Sequence, residues 1–218
     1  GDNAGIDSAQ MEREIRAALD KPGAIANEQG DIDAALKDAA RTFEAEYEMP
    51  FLAHAALEPM TCVAEVRADA VELWVGTQVP VRAQTAAAEA AGRPVEQVIV
   101  NNQLIGGAFG RRLEVDFISQ AVAIAAQVDY PIKLTWTREE DTTHDMYRPH
   151  YIDRFAAALD AEGRLQGWRH TIAGASVLAR FAPEAVPENG LDGDAVEVAM
   201  HPIYAMPNLR VNYVPVPP

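Results

Sequence analysis

The 218 residues carry a formal net charge of −15, are 49% hydrophobic and 23% charged, and include one cysteine. That charge opposes nucleic acid and anionic bilayers through long-range repulsion, and Cys62 alone can form neither an internal disulfide nor a thiolate metal cluster. No apolar run reaches the ~18–20 residues that span a bilayer, so the composition is that of an ordinary globular chain with one sizeable core or two small ones.

Residues 8–20 predict a short polar helix, capped by Asp7 or Ser8 and stopped at Lys21-Pro22-Gly23. Its apolar stripe is thin, so residues 1–29 are expected to be an N-terminal linker and helix, with 30–218 forming the main region. A second helix starts at Asp31, with Ile32 and Leu36 on one face. Phe43 to Glu48 alternates apolar and acidic residues, the pattern of a half-buried strand. Phe51 to Met60 is mostly apolar but holds His54 and Glu58. Cys62–Val66 and Val71–Val75 predict a hairpin about Ala68-Asp69. An alanine-rich helix is expected over 81–91, ended by Gly92.

Val95 to Asn101 predicts a strand and Leu113 to Gln127 a helix. Between them lies Leu104-Ile105-Gly106-Gly107-Ala108-Phe109-Gly110-Arg111-Arg112. Three glycines in five residues permit positive φ and close approach of a ligand to the backbone. Arginines before a helix have the wrong sign for its dipole and the right sign for an anion bound there. The stretch therefore predicts a cradle for a phosphate-bearing cofactor made by Gly106, Gly107, Ala108, Phe109, Gly110, Arg111 and Arg112. The alternative is a glycine-rich turn whose arginines are solvated or paired with Glu114 and Asp116. It is neither a P-loop nor the G-x-G-x-x-G dinucleotide fingerprint.

Beyond it, Pro131 to Thr137 predicts a strand and Arg138 to His150 a loop or short helix. Tyr151–Leu159 and Leu165–Ala173 predict a second hairpin. Residues 182–202 look loop-like, and Leu209–Val214 is a last strand. Hairpins mixed with helices imply an α+β fold, a mixed sheet with packed helices. The chain opens Gly1-Asp2-Asn3 and stops at Val214-Pro215-Val216-Pro217-Pro218, so it is expected to be a piece of a longer protein.

Ala53-His54-Ala55-Ala56-Leu57-Glu58-Pro59, Trp74-Val75-Gly76-Thr77-Gln78 and Gly106 to Arg112 follow one another in an order that resembles the molybdenum-binding subunit of the xanthine dehydrogenase/aldehyde oxidase family. Ala121 to Ala126, Thr137 to Asp141 and Arg148-Pro149-His150 fit the same family. The double arginine and the His-Ala-x-Leu-Glu-Pro-Met string resemble most the branch of the isoquinoline 1-oxidoreductase large subunit and membrane-associated aldehyde dehydrogenases. The resemblance runs from about Gly30 to the last residue.

It implies a molybdopterin-binding-domain-like fold and a molybdopterin cofactor, often in its cytosine dinucleotide form. It implies hydroxylation of an aldehyde or N-heterocycle with oxygen from water. Electrons would pass to an iron–sulfur subunit or a cytochrome c subunit, and the location would be periplasmic or membrane-associated, with the cytoplasm left open. The family's loop approaches the metal through main-chain atoms, here Gly107, Ala108, Phe109 and Gly110. Leu52 stands where xanthine dehydrogenases have a Gln, and Leu113 where they have a substrate-binding Glu, with Glu114 one place on. Purine recognition is therefore not implied. The family's catalytic Glu falls beyond residue 218, so no catalytic residue and no protein ligand to the metal is expected in this stretch.

A reading of a different class is a non-catalytic α+β assembly or ligand-binding module. His54 and Glu58, four apart, suggest a buried polar pair on a helical turn. His144, Asp145 and His150 fit no standard zinc spacing and suggest a polar loop. Cys62 is expected to be a small core residue.

Overall fold

The computed structural model describes residues 5–217; the chain ends at Gly1-Asp2-Asn3 and Pro218 lie outside them. In chain order the elements are α1 (Ser8–Ala18), β1 (Ala24–Gln29), α2 (Ile32–Lys37), β2 (Arg41–Met49), β3 (Thr61–Val66), β4 (Val71–Val75), α3 (Pro80–Ala91) and β5 (Val98–Asn102). There follow α4 (Asp116–Ala125), β6 (Ile132–Thr135), α5 (Arg138–Thr143), β7 (Tyr151–Leu159), β8 (Leu165–Gly174), α6 (Leu178–Phe181), α7 (Gly193–Met200) and β9 (Asn208–Pro215). The fold is α+β, as expected. It divides into two compact units, one made of Ala53–Arg148 and the other of the segments before and after it.

The flanking-segment unit is built on a sheet ordered β1-β9-β8-β7-β2, with β8 and β9 parallel and the other pairings antiparallel. Ile15, Ala18 and Leu19 of α1 cover Ile152, Ala173 and Val214, which lie side by side on one face. Val196 of α7 seals the opposite face over Ile172, Leu209, Val211 and Tyr213. Strand β1 was not expected, because Ala-Ile-Ala-Asn-Glu-Gln lacks both alternation and β-branched density; its pairing with β9 makes it a strand. The half-buried strand expected at 43–48 is β2, but only Ala45 is even partly buried, since β2 is an edge strand. Inside the expected loop 182–202 stands α7, capped by Asp192, whose carboxylate accepts from the N–H groups of Asp194 and Ala195.

The Ala53–Arg148 unit is a sheet ordered β5-β4-β3-β6, with α3 and α4 packed on it. Strands β3 and β4 form the expected hairpin, and α3 carries the chain across to β5, which lies parallel to β4. The alanines make close packing possible: Ala83 and Ala87 are fully buried against the sheet and α4. Gly92, at φ +61°, ends α3 as its left-handed cap. Cys62 is fully buried in this core, as expected. Two boundaries moved. Residues 95–97 form a 3-10 turn before β5, and Arg111–Leu113 form another, so α4 begins at Asp116. Parallel pairing puts the C-terminal ends of β4 and β5 side by side, and the glycine loop leaves from that edge.

Candidate functional site

The site lies within the Ala53–Arg148 unit, where two irregular loops meet. Asn102, at the end of β5, is tied to the chain after β4: Thr77 N–H donates to its Oδ1 at 3.1 Å, and its Nδ2 donates to Thr77 O at 3.3 Å. From this fixed base the chain runs through 104–110 and lies against the 54–58 loop. Glu58 N–H donates to Gly106 O at 3.0 Å, and Gly106 N–H donates back to Glu58 Oε2 at 2.9 Å. A Cβ on Gly106 would come 2.5 Å from Glu58 Cβ, so this position excludes every side chain.

Gly107 and Gly110 have φ of +104° and +105°. Phe109, at +55°, and Ala55 of the facing loop, at +43°, hold positive φ without being glycine. Such backbone costs on the order of 1–3 kcal/mol each and persists where surroundings over-determine it. The two lie in apposed loops, and strained backbone of this kind clusters at functional sites.

Arg111 and Arg112 supply the over-determination. Both are essentially fully buried. Arg111 grips Asp116 through two parallel bonds of 2.9 and 2.8 Å and lies over the Trp136 ring, 5.3 Å from its centroid. Its Nε is 3.1 Å from Asp145 Oδ1, an ion-pair distance, but the N–H is aimed off the oxygen and makes no hydrogen bond. Arg112 donates from Nε to Gly107 O at 3.0 Å, from Nη1 to Gly76 O at 3.0 Å, and from Nη2 to Glu58 Oε2 at 2.9 Å. Burial pushes the Arg112 guanidinium below its ordinary value; Glu58 and Asp141 oppose that shift and Arg111 adds to it. The expected direct reach to phosphate thus meets guanidinium groups already engaged with protein acceptors. The pairing with Asp116 that the sequence left open is present.

The other loop is held in a similar way. Arg138 donates to Ala56 O at 2.6 Å and Leu57 O at 2.9 Å while paired with Asp141. His54 and Glu58 do not form the expected pair, because 53–59 is not helical. His54 Nδ1 is 3.0 Å from Asp145 Oδ1 instead, and Glu58 serves Arg112. Asp145, Arg138 and Arg148, which donates to Phe109 O at 3.4 Å, had no role assigned from sequence. Arg138 and Arg148 signalled themselves only as members of the motifs at 137–141 and 148–150, and Asp145 only as part of the polar loop expected with His144 and His150. His144 is exposed beside Glu140, and His150 lies in the other unit, 3.1 Å from Glu48.

With the side chains turned inward, the loop presents its main chain. Among the described residues, the successive N–H groups of Gly107, Ala108, Phe109 and Gly110 have no protein acceptor. Successive N–H groups through left-handed backbone form a concavity that suits an electron-rich ligand. The Phe109 ring, 66% exposed, stands beside it. The donor set and the excluded Cβ positions fit a polar cofactor bound through backbone.

Residues 18–216 match the model of the molybdopterin cofactor-binding domain. The chain is 32% identical over 193 residues to an isoquinoline 1-oxidoreductase subunit beta of Brevundimonas diminuta, covering 84% of this chain and 25% of that protein. It is also 32% identical over 170 residues to a membrane-bound aldehyde dehydrogenase (pyrroloquinoline-quinone) of Gluconacetobacter polyoxogenes, covering 78% and 22%. The chain therefore spans about a quarter of the length of these curated relatives. Among solved structures, the aldehyde oxidoreductase of Desulfovibrio gigas superposes with a TM-score of 0.66 at 15% identity, over 88% of this chain and 20% of that one, a likeness of fold. The match over nearly the whole chain, joined to a loop built to present bare main chain, places this protein in the molybdopterin cofactor-binding domain family.

Proposed function

We propose that this chain is part of the catalytic subunit of a molybdenum hydroxylase and that Gly106–Gly110 is its share of the cofactor cradle. The observation that carries the reading is the run of unpaired N–H groups from Gly107 to Gly110, held open by buried arginines. Molybdopterin, in its cytosine dinucleotide form, would supply the metal chemistry that hydroxylates an aldehyde or N-heterocycle with oxygen from water and passes electrons to an iron–sulfur or cytochrome c partner subunit. The main-chain N–H groups at 107–110 would donate to the ligand's electron-rich atoms. Arg112 would hold Gly107 and Glu58 in register beneath it, and Arg111 would fix the turn into α4. Phe109 would shield the bound group from water on its open side. Arg111 and Arg112 thereby serve the cofactor through the loop's shape.

The test is Gly107→Val in the full-length protein. A Cβ there would meet Ala56 Cβ at 3.4 Å, with φ at +104°, so the loop must rearrange while the core does not. Molybdenum and pterin content should fall at least about tenfold, the effect of ~1.4 kcal/mol in retention, with the native circular dichroism kept. Full loading in a folded variant would sink the cradle.

A further inference from the structure

We infer that His54 is a ligand-facing residue of this cradle, with Asp145 as the residue that positions it. The inference rests on the cradle reading and adds a side chain to what is otherwise a main-chain site. His54 sits in the non-helical 54–58 loop, and its ring is clamped from one edge only. Nδ1 lies 3.0 and 3.2 Å from the two Asp145 oxygens, and the backbone N–H of His54 donates to the same carboxylate at 2.5 Å. Asp145 is itself buried, with Arg111 Nε 3.1 Å from its Oδ1. A carboxylate can only accept, so Nδ1 carries the hydrogen and the tautomer is set. In the neutral imidazole the opposite nitrogen, Nε2, is then a lone-pair acceptor.

Nε2 is directed at the glycine loop. A Cβ built on Gly110 would stand 3.3 Å from it, and among the described residues it has no protein partner. The His54 side chain keeps 9% of its surface exposed. Nε2 thus lies against Gly110, the last of the four residues 107–110 whose N–H groups have no protein acceptor among the described residues. Donors from the main chain and one acceptor from His54 therefore line the same spot, a mixed set that fits a fused heterocycle carrying both ring-nitrogen acceptors and N–H donors. Sulfate, which only accepts, would find the Nε2 of the neutral ring of the wrong sign. The structure thus assigns His54 the recognition of an N–H or O–H group on the ligand held at Gly110.

Two substitutions separate this role from a structural one. His54→Asn puts an amide near Nδ1, keeps the bond to Asp145 and removes Nε2; His54→Gln puts an amide oxygen or nitrogen near Nε2 and gives up the Asp145 bond. In the full-length protein, pterin retained after extensive dilution and gel filtration should fall roughly fivefold in His54→Asn, the fold-change of one net hydrogen bond. Its cofactor-free melting temperature should stay near wild type. His54→Gln should recover part of the retention while melting lower. Wild-type retention in His54→Asn overturns the inference, as does retention that merely follows melting temperature across both variants. Gly107→Val runs alongside: if it loses pterin while His54→Asn does not, the cradle stands and His54 falls. If neither loses pterin, the cradle itself is wrong.

Discussion

At the scale of single residues, Arg112 shows how a charge can be spent on shape. Its guanidinium bonds two carbonyls and one carboxylate within 3.0 Å, so removing it strands Gly107 O and Gly76 O and frees Glu58. Truncating one partner of a buried pair costs ~3–5 kcal/mol; because the Glu58 side chain is 41% exposed, Arg112→Ala should cost about 2–4 kcal/mol. Chemical denaturation would read this directly. A loss within ~0.5 kcal/mol, the usual effect of a surface substitution, would show that the buried contacts contribute little. Cys62 gives a second residue-scale outcome. Burial pushes its thiol up to about 12, and only the thiolate is nucleophilic. Native protein should leave a thiol reagent unconsumed near neutral pH and take up one equivalent in denaturant. Rapid labelling of folded protein would place Cys62 outside the core.

At the scale of elements, what was legible followed local pattern, and what was missed depended on partners far away in the chain. The β3–β4 and β7–β8 hairpins and α3 with its glycine cap were readable because their apolar period, turn residues and stop signals lie within a dozen residues of each other. Strand β1 was not, since its polar sequence becomes a strand only through β9, whose paired residues lie 180 to 189 positions on. Nor was α7, where Gly193 blurs the start. The glycine loop was legible as a turn with positive φ, which Gly107 and Gly110 adopt. The pairing of Arg111 with Asp116 was one of the alternatives the sequence offered, whereas the inward turn of Arg112 was not legible, because its partners Gly76 and Glu58 lie 36 and 54 residues away. Asp192 turns α7 into a test. It is fully buried; burial works to raise its carboxyl, but bonds from Ser176 Oγ and the N–H groups of Leu178, Ala195 and Asp194 outweigh that and hold it below the ordinary range. A depressed folded value contributes stability at pH above the unfolded value, and that stability is lost as pH falls through the folded one. Asp192→Ala should therefore melt well below wild type at neutral pH, and the gap should close as pH drops beneath the ordinary carboxylate range. A gap that stays constant down to that acidity would mean that the ionised form of Asp192 is not what stabilises the cap.

At the scale of the whole molecule, the proposed cradle and the residues that shape it belong to one continuous stretch. Glu58, Gly76, Gly106–Gly110, Arg111, Arg112, Asp116, Arg138 and Asp145 all fall between Ala53 and Arg148. So does every residue of the core formed by β3, β4, α3, β5 and α4. The other unit needs two separated segments, and its clusters draw on residues from both. A sheet with two helices packed on it and its own buried core meets the requirement for independent folding. Ala53–Arg148 expressed alone should unfold cooperatively, with a stability at or below the ~5–15 kcal/mol typical of domains. Cys62 supplies a probe that ordinary collapse would not satisfy, because only a sealed core keeps it unreactive. A single sigmoidal transition in circular dichroism, coincident with the onset of Cys62 labelling, is the expected result. Labelling that precedes the loss of helix would mean that the core opens without its neighbour, so that the cradle's rigidity is borrowed from the flanking segments and does not arise within the stretch that carries it.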